Sequence, residues 1–223
     1  MITYHDDVTQ GSEEWASMRC GLLTASEMSL ILTAKTLKAA SNEAERTHLY
    51  ELLGQRITSY VEPRYIGDDM LRGMDDEIEA VALYAKHYAP VQTVGFVTND
   101  KWGFTIGYSP DALVGDDGLI ECKSRRAKFQ VQTIIDGIAP ADYMIQLQTG
   151  LLVSEREWID FVSYSGGLPM FVCRVEPIKE YQDAIIAAAT GFEERLAIAQ
   201  EKYAANSKGL HPTERRIIEE MYV

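Results

Sequence analysis

Tyr108-Ser109-Pro110-Asp111-Ala112-Leu113-Val114-Gly115-Asp116-Asp117-Gly118-Leu119-Ile120-Glu121-Cys122-Lys123 is the stretch from which the rest of the chain can be read. Leu119 to Lys123 reads as a strand. Residues two apart in a strand point to the same side, so Glu121 and Lys123 share one face while Ile120 and Cys122 take the other. A hairpin through the Gly115-Asp116-Asp117-Gly118 turn brings Asp111 beside them. Two carboxylates converging on one point repel each other unless a cation sits between them, and hard oxygen ligands suit Mg²⁺ or Mn²⁺. A lysine at the same place can polarise a water or neutralise charge developing on a phosphate. The same residues also make an ordinary surface hairpin with a Glu/Lys pair, and the segment alone does not decide between the two.

The whole chain sets bounds on this reading. At 223 residues it is long enough for one well-cored domain and short for two, and residues 1–223 read as a single domain. Hydrophobic residues at 46% and charged residues at 25% are ordinary for a globular protein. No apolar run is long enough to cross a bilayer, and Met1 to Asp7 lacks the basic start and apolar core of a secretory signal, so the expected compartment is the cytosol. Cys20, Cys122 and Cys173 are too few and too scattered for a disulfide framework or a metal cluster. The net charge of −13 argues against nucleic acid only at first sight, because an acidic exterior can coexist with a local basic groove. Lys123, Arg125, Arg126 and Lys128 form one such cluster beside the carboxylates, and Lys35 and Lys38 lie in another polar stretch.

Working outward, helices are expected over Gly11 to Met18, from Thr24-Ala25-Ser26-Glu27 into Met28, Ile31 and Leu32, and over Glu43 to Ser59, where Leu49, Leu52, Leu53 and Ile57 form a buried stripe. Arg19 and Ser26 flank the start of the second, where unpaired N–H groups suit an anion. Thr33 to Asn42 lacks an apolar period and reads as a loop. A longer helix runs from Asp68 or Asp69 to about Tyr88, with Leu71, Met74, Ile78, Val81, Ala82 and Ala85 at helical spacing. Glu77 lies beside that stripe and, taken alone, reads as solvent-facing. Strands follow at Val91 to Thr98, Trp102 to Ile106 and Leu119 to Lys123, then helices over Ala127 to Asp136 and after Pro140. Gln146 and Gln148 on the latter cannot both face the core, because two residues is more than half a turn. Strands Trp158 to Tyr164 and Met170 to Val175 form a hairpin, and the chain closes with a helix from Ile178 to Ala204 and a shorter one after Pro212.

Set beside Gln10-Gly11-Ser12-Glu13-Glu14-Trp15 and Arg19-Cys20-Gly21-Leu22-Leu23-Thr24-Ala25-Ser26, the carboxylates and lysine resemble the lambda-exonuclease family of viral recombination nucleases, built on the PD-(D/E)XK core. The likeness runs from about Gln10 to about Pro177 and holds several motifs in order. Gly73-Met74-Asp75-Asp76-Glu77 is similar to the family's Gly-x-x-x-Glu helix. Ser109-Pro110-Asp111 matches its Ser-Pro-Asp, and Tyr143-Met144-Ile145-Gln146-Leu147-Gln148 its Tyr-x-x-Gln-x-Gln. The resemblance implies an α/β (α+β) fold of the restriction-endonuclease type, with a mixed central β-sheet flanked by helices. It also implies an enzyme that loads on an end of linear double-stranded DNA and digests one strand processively from 5′ to 3′, releasing mononucleotides. The 3′ overhang left behind would serve recombination by strand annealing. A ring-shaped homotrimer and a single-strand annealing protein as partner are implied in the same way.

Carried over by position, Asp111 and Glu121, with the backbone carbonyl of Cys122, would hold Mg²⁺, with Mn²⁺ as a substitute. Glu77 would complete the acidic set, Lys123 would orient the attacking water, and Gln146, rather than Gln148, would support the site. Arg19, Ser26 and Ser109 would receive the 5′-terminal phosphate; Lys35 and Lys38, taken from their polar stretch and not from the resemblance, would add DNA contacts. The expected chemistry is two-metal hydrolysis, one ion activating water near Lys123 and the other stabilising the leaving 3′ oxygen. After Glu-x-Lys the chain departs from the pattern, with Ser124-Arg125-Arg126 where lambda exonuclease has Cys-Pro, and the 33–42 loop also differs. The competing readings are a structure-specific endonuclease on the same core and a non-catalytic DNA-end-binding module.

Overall fold

In the computed structural model, which describes residues 1–63 and 67–215, Pro110 marks the passage of the chain from one sheet to another. The strands are β1 (Ile2–His5), β2 (Leu23–Thr24), β3 (Leu32–Thr33), β4 (Lys38–Ala39), β5 (Phe96–Asn99), β6 (Ile106–Tyr108), β7 (Ala112–Val114), β8 (Gly118–Ser124), β9 (Trp158–Tyr164) and β10 (Phe171–Val175). The helices are α1 (Glu13–Arg19), α2 (Met28–Ile31), α3 (Glu43–Thr58), α4 (Asp68–His87), α5 (Ala127–Asp136), α6 (Ala141–Ser154) and α7 (Lys179–Asn206). One four-stranded sheet has the order β1-β5-β6-β2 and the other β10-β9-β8-β7; each mixes antiparallel pairs with one parallel pair. The mixed sheet expected at the centre is therefore divided. Proline has no N–H to donate to a ladder, so pairing stops between β6 and β7 and resumes in a second sheet.

Alternation along β8 and β9 sorts their side chains. Ile120, Cys122 and Val162 pack with Ala80 and Tyr84 of α4 on one face. Leu119, Ile159 and Phe161 join α6, α7, α2 and α3 in the larger core on the other. The helix ends follow local chemistry. Ser12 accepts the Trp15 N–H to open α1, Asn42 accepts that of Glu45 to open α3, Pro140 precedes α6, and Gly137 ends α5 with φ of 66°.

Three sequence expectations shift. The 33–42 stretch is not all loop, since Thr33 and Lys38 belong to a small β3–β4 hairpin. Of the expected strands at 91–98 and 102–106, only Phe96–Asn99 and Ile106–Tyr108 pair as strands, with one isolated bridge from Gln92 to Leu113. The apolar residues of α4 do not all turn inward: Leu71, Met74 and Ile78 are exposed, while Ala80 and Tyr84 are buried. The helix expected after Pro212 lies mostly outside the described residues. The three cysteines are free thiols. Among the described residues no helix is long and apolar enough to cross a membrane.

Candidate active site

β8 carries the centre of the site. Its parity places Glu121 on the face toward α6, and Ala112 pairs with Ile120 in β7, so Asp111 stands opposite Glu121 just before that strand begins. There Asp111 Oδ2 accepts the Cys122 N–H at 2.5 Å. In a strand the N–H and C=O of one residue point to the same edge, so the Cys122 carbonyl also faces Asp111. Glu121 is almost completely buried and its oxygens are taken up by three donors. Tyr108 donates to Oε2 at 2.8 Å, while Lys123 at 2.6 Å and Gln146 at 2.5 Å donate to Oε1. Gln146 thus meets the site from α6, and Gln148 points elsewhere, bonding the Glu176 carbonyl and the Ile178 N–H. Glu77 reaches in from α4, lines one cleft with Asp111 and feels the repulsion of the Glu121 charge.

The charges account for the ionisation of these groups. Burial, then the Glu121 charge, then Glu77 push Asp111 well above the usual carboxylate range. Burial and Glu121 raise Glu77 as well. For Lys123, burial alone would lower the ammonium, but Glu121 and Asp111 outweigh it and hold the group above its ordinary value. Lys123 is therefore a fixed cation, able to donate but not to accept a proton. Burial, then Glu121 and Asp111, raise the Tyr108 phenol, so it stays a donor at alkaline pH.

A cleft of about 210 Å³ joins this set to a second group of residues: Arg19, Ser26 and Ser109 line it together with Asp111, Glu121 and Lys123. Arg19 lies over the Trp15 ring at 4.3 Å and donates to Thr24 Oγ1 at 3.3 Å and Ser26 Oγ at 3.5 Å. Trp15 Nε1 donates to Ser109 Oγ at 2.8 Å, and Gln10 Nε2 to the Pro110 carbonyl at 2.8 Å. The helix beginning at Met28 is a single turn, so what this pocket offers an anion is Arg19 and the hydroxyls rather than a helix start. Lys35 and Lys38 are exposed on the β3–β4 hairpin and do not line the cleft. Tyr108 and Trp15 are the members that sequence reasoning missed. The aromatic directly before Ser-Pro-Asp was the available signal for Tyr108. Trp15 enters the sequence reading only as the last residue of the Gln10-to-Trp15 motif, with no role attached.

The donor set fits a hard divalent cation. Three carboxyl groups crowd together with Lys123 as their counter-charge, two of them raised by burial and mutual repulsion, and a cation relieves that repulsion. As the side chains stand, no three His, Cys, Asp or Glu residues among those described form a ready-made cage. The physical reason is that Lys123, Gln146 and Tyr108 occupy the Glu121 oxygens and the Cys122 N–H occupies one of Asp111's.

Solved structures carry the same arrangement of strands and helices. An alkaline exonuclease, LHK-Exo, from Laribacter hongkongensis is 30% identical with a TM-score of 0.73, over 87% of this chain and 100% of that one. The same exonuclease in complex with dAMP gives 32% identity, the same TM-score and the same coverage. A phage-related exonuclease from Haemophilus somnus 129PT, at 15% identity and a TM-score of 0.53 over 80% of this chain and 96% of that one, shares the fold alone. No curated protein matches the chain. Fold and relatives together define a nuclease of the alkaline-exonuclease type, in keeping with the resemblance to lambda exonuclease. Residues 14–157 match the YqaJ-like viral recombinase domain, and the chain belongs to that family.

Proposed function

We propose that the protein is a Mg²⁺-dependent exonuclease that digests linear double-stranded DNA from 5′ to 3′, releases mononucleotides and leaves a 3′ single strand for recombination by annealing. One observation carries this reading: the Arg19, Ser26 and Ser109 pocket opens into the same cleft as Asp111, Glu121, Lys123 and Gln146. At about 210 Å³ that cleft is smaller than ordinary ligand pockets of about 300 Å³ and upward, and it suits one nucleotide of a separated strand end rather than a duplex. A relative held in complex with dAMP supports a mononucleotide product.

Each residue then has a role. Arg19 presents a planar fork to a terminal phosphate, with the Ser26 and Ser109 hydroxyls beside it. Asp111, Glu121 and the Cys122 carbonyl would hold Mg²⁺, or Mn²⁺ in its place, and Glu77 would complete the set; a cation bound there would lower the pKa of water and stabilise charge on the leaving oxygen. Lys123, fixed as a cation, donates to the attacking water and offsets charge building on the phosphate. Gln146 and Tyr108 keep Glu121 in place. A homotrimeric ring would give processivity by topology, and a single-strand annealing protein would receive the 3′ strand.

The test uses end-labelled linear and closed circular duplexes with Mg²⁺ or chelator, varying which terminus bears label and phosphate. Mononucleotides should appear from the 5′-phosphorylated strand of linear DNA only, and only with Mg²⁺. Asp111→Ala and Lys123→Ala should abolish release, and Arg19→Ala should cost more on phosphorylated than on hydroxyl ends. Cutting of the circle, or wild-type release by Asp111→Ala, overturns the reading.

A further inference from the structure

Ser124-Arg125-Arg126, where this chain departs from the lambda-exonuclease pattern, ends β8 with Ser124 and leads out of it, and each of the three residues grips a different support. Ser124 Oγ donates to Asp76 Oδ2 at 2.5 Å, and Arg72 Nε reaches the same hydroxyl at 3.3 Å. Asp76 is the residue before Glu77 on α4. Arg125 Nη1 donates to the Tyr143 hydroxyl at 2.6 Å, and Tyr143 stands on α6 three residues, nearly one turn, before Gln146. Arg126 pairs with Asp69 at the start of α4 at 2.8 Å.

We propose that Ser124 and Arg125 are positioning residues that clasp α4 and α6 to the end of β8, Ser124 setting Glu77 through Asp76 and Arg125 setting Lys123 through Tyr143. The assignment rests on the nuclease reading above for what Glu77 and Lys123 do.

The contacts carry unequal weight. Arg126 and Asp69 are both mostly exposed, and a surface ion pair of that kind contributes little, so neither is given a role. Arg125 is different. Its guanidinium lies 5.2 Å from the centres of both the Tyr143 and Phe129 rings, and its Nε is closed off from solvent without a partner. A side chain that leaves a donor unsatisfied is held by what its other groups gain, here the tyrosine hydroxyl and two ring faces. Tyr143 in turn stacks on Phe161 at 5.5 Å and places its ring 5.8 Å from Lys123 Nζ, within cation–π reach. Arg125 therefore fixes the wall against which the Lys123 ammonium rests while it faces Glu121. Ser124 acts on the other side. Its short bond to Asp76 pins the turn of α4 from which Glu77 reaches Asp111.

The experiment measures Mn²⁺ affinity by titration calorimetry, and kcat and KM on 5′-phosphorylated linear duplex, for full-length variants. Ser124→Ala and Asp76→Ala should weaken Mn²⁺ binding about 10- to 100-fold, the usual effect of losing a group that orients a metal ligand, and Ser124→Thr should restore it. Arg125→Ala should lower kcat by about 10- to 100-fold with KM and Mn²⁺ affinity unchanged, and Arg125→Lys should recover only part. Combining Arg125→Ala with Tyr143→Phe should cost no more than the worse single change, since both cut the same link. A merely structural clasp would lower melting temperature while the folded variants kept wild-type Mn²⁺ affinity and kcat; that result, or strict additivity of Arg125 and Tyr143, overturns the proposal. Should Ser124→Ala fail to fold, Asp76→Ala and Ser124→Thr carry the same comparison. If the wild type releases no nucleotide, the nuclease reading fails by itself, and the Mn²⁺ titrations still decide whether Ser124 sets the acidic site.

Discussion

Replacing Tyr108 by phenylalanine deletes one oxygen beside Glu121, and its cost can be worked from the contacts. Both residues are at most 2% exposed. The phenol is the donor to Glu121 Oε2, while Lys123 and Gln146 crowd onto Oε1. Burial and the neighbouring carboxylates keep the phenol protonated, so the donor is present at alkaline pH as well as at neutrality. Phenylalanine keeps the ring against Gly150, so no large cavity opens and the loss is chiefly the hydrogen bond. A bond to a charged group is worth about 1.5–3 kcal/mol. In a chain of this length each kcal/mol moves the melting temperature by roughly 2–4 °C, so Tyr108→Phe should melt roughly 3–12 °C below wild type. Differential scanning calorimetry in chelator measures this without interference from bound cations. A second expectation concerns binding: with one Glu121 oxygen unanchored, Mg²⁺ affinity should fall about 10- to 100-fold. An unchanged melting temperature in chelator would refute the view that Tyr108 holds Glu121 as a buried carboxylate.

Asp111 and Glu77 both have folded-state pKa values raised above the unfolded ones, so the metal-free native state binds more protons than the unfolded state in that window. Their contribution therefore turns unfavourable as pH rises from the ordinary carboxylate range through the raised values, and a cation that binds the ionised forms reverses it. The Mg²⁺-induced rise in melting temperature should grow with pH, and a rise of constant size across the range would contradict this. Gln148→Ala should cost about 1–3 kcal/mol in denaturant titrations, because the Glu176 carbonyl and Ile178 N–H lose their partner, yet leave the folded enzyme active. Gln146→Ala should also cost about 1.5–3 kcal/mol, the worth of its bond to buried Glu121, but unlike Gln148→Ala it should slow nucleotide release; equal activity of the two folded variants would undo the division of labour. Gly150→Ala places a Cβ about 2.7 Å from the Tyr108 ring, so overpacking of about 1–3 kcal/mol should exceed the helix gain of up to about 1 kcal/mol and lower the melting temperature. A more stable Gly150→Ala protein would mean that Tyr108 has room to move.

Period was legible in the sequence where phase was not. The spacing of Leu49, Leu52 and Leu53 assigns both the helix and its buried side, because α3 lies against α7 and α2 along that stripe, but Ile57, expected in the same stripe, is exposed near the helix end. In α4 the spacing is right and the facing differs: Ala80 and Tyr84 pack on β8 and β9, and the larger Leu71, Met74 and Ile78 stay outside. Tyr84 explains part of the choice, since its hydroxyl donates to buried Asp160 at 2.6 Å, a bond that apolar periodicity cannot register. α5 goes further. Gln130 and Thr133 are buried while Phe129, Val131 and Ile135 are exposed. The Gln130 amide bonds the Ser163 and Pro169 carbonyls and accepts the Ser163 hydroxyl, so a polar side chain faces inward with its groups satisfied. The β3–β4 hairpin was invisible for another reason: two-residue strands leave no alternation to read.

The site divides along the same line between local and long-range causes. Asp111, Glu121 and Lys123 belong to one hairpin, so strand parity and a glycine turn were enough to bring them together. Glu77 and Gln146 arrive on helices separated from that hairpin in sequence, and only the ordered family motifs pointed to them. Tyr108 lies between these cases. Its place at the end of β6, before the proline break, aims a hydroxyl from one sheet at a carboxylate of the other. The divided sheet thus has a chemical consequence: with the ladder broken at Pro110, the Tyr108 phenol on one sheet and Asp111 beside the other line the same cleft as Glu121. Glu121 can then be held by donors from β6, β8 and α6 at once. A carboxylate anchored from three elements has little freedom to move, which is what the proposed cleavage reaction would ask of a residue holding its cation while a strand enters and leaves.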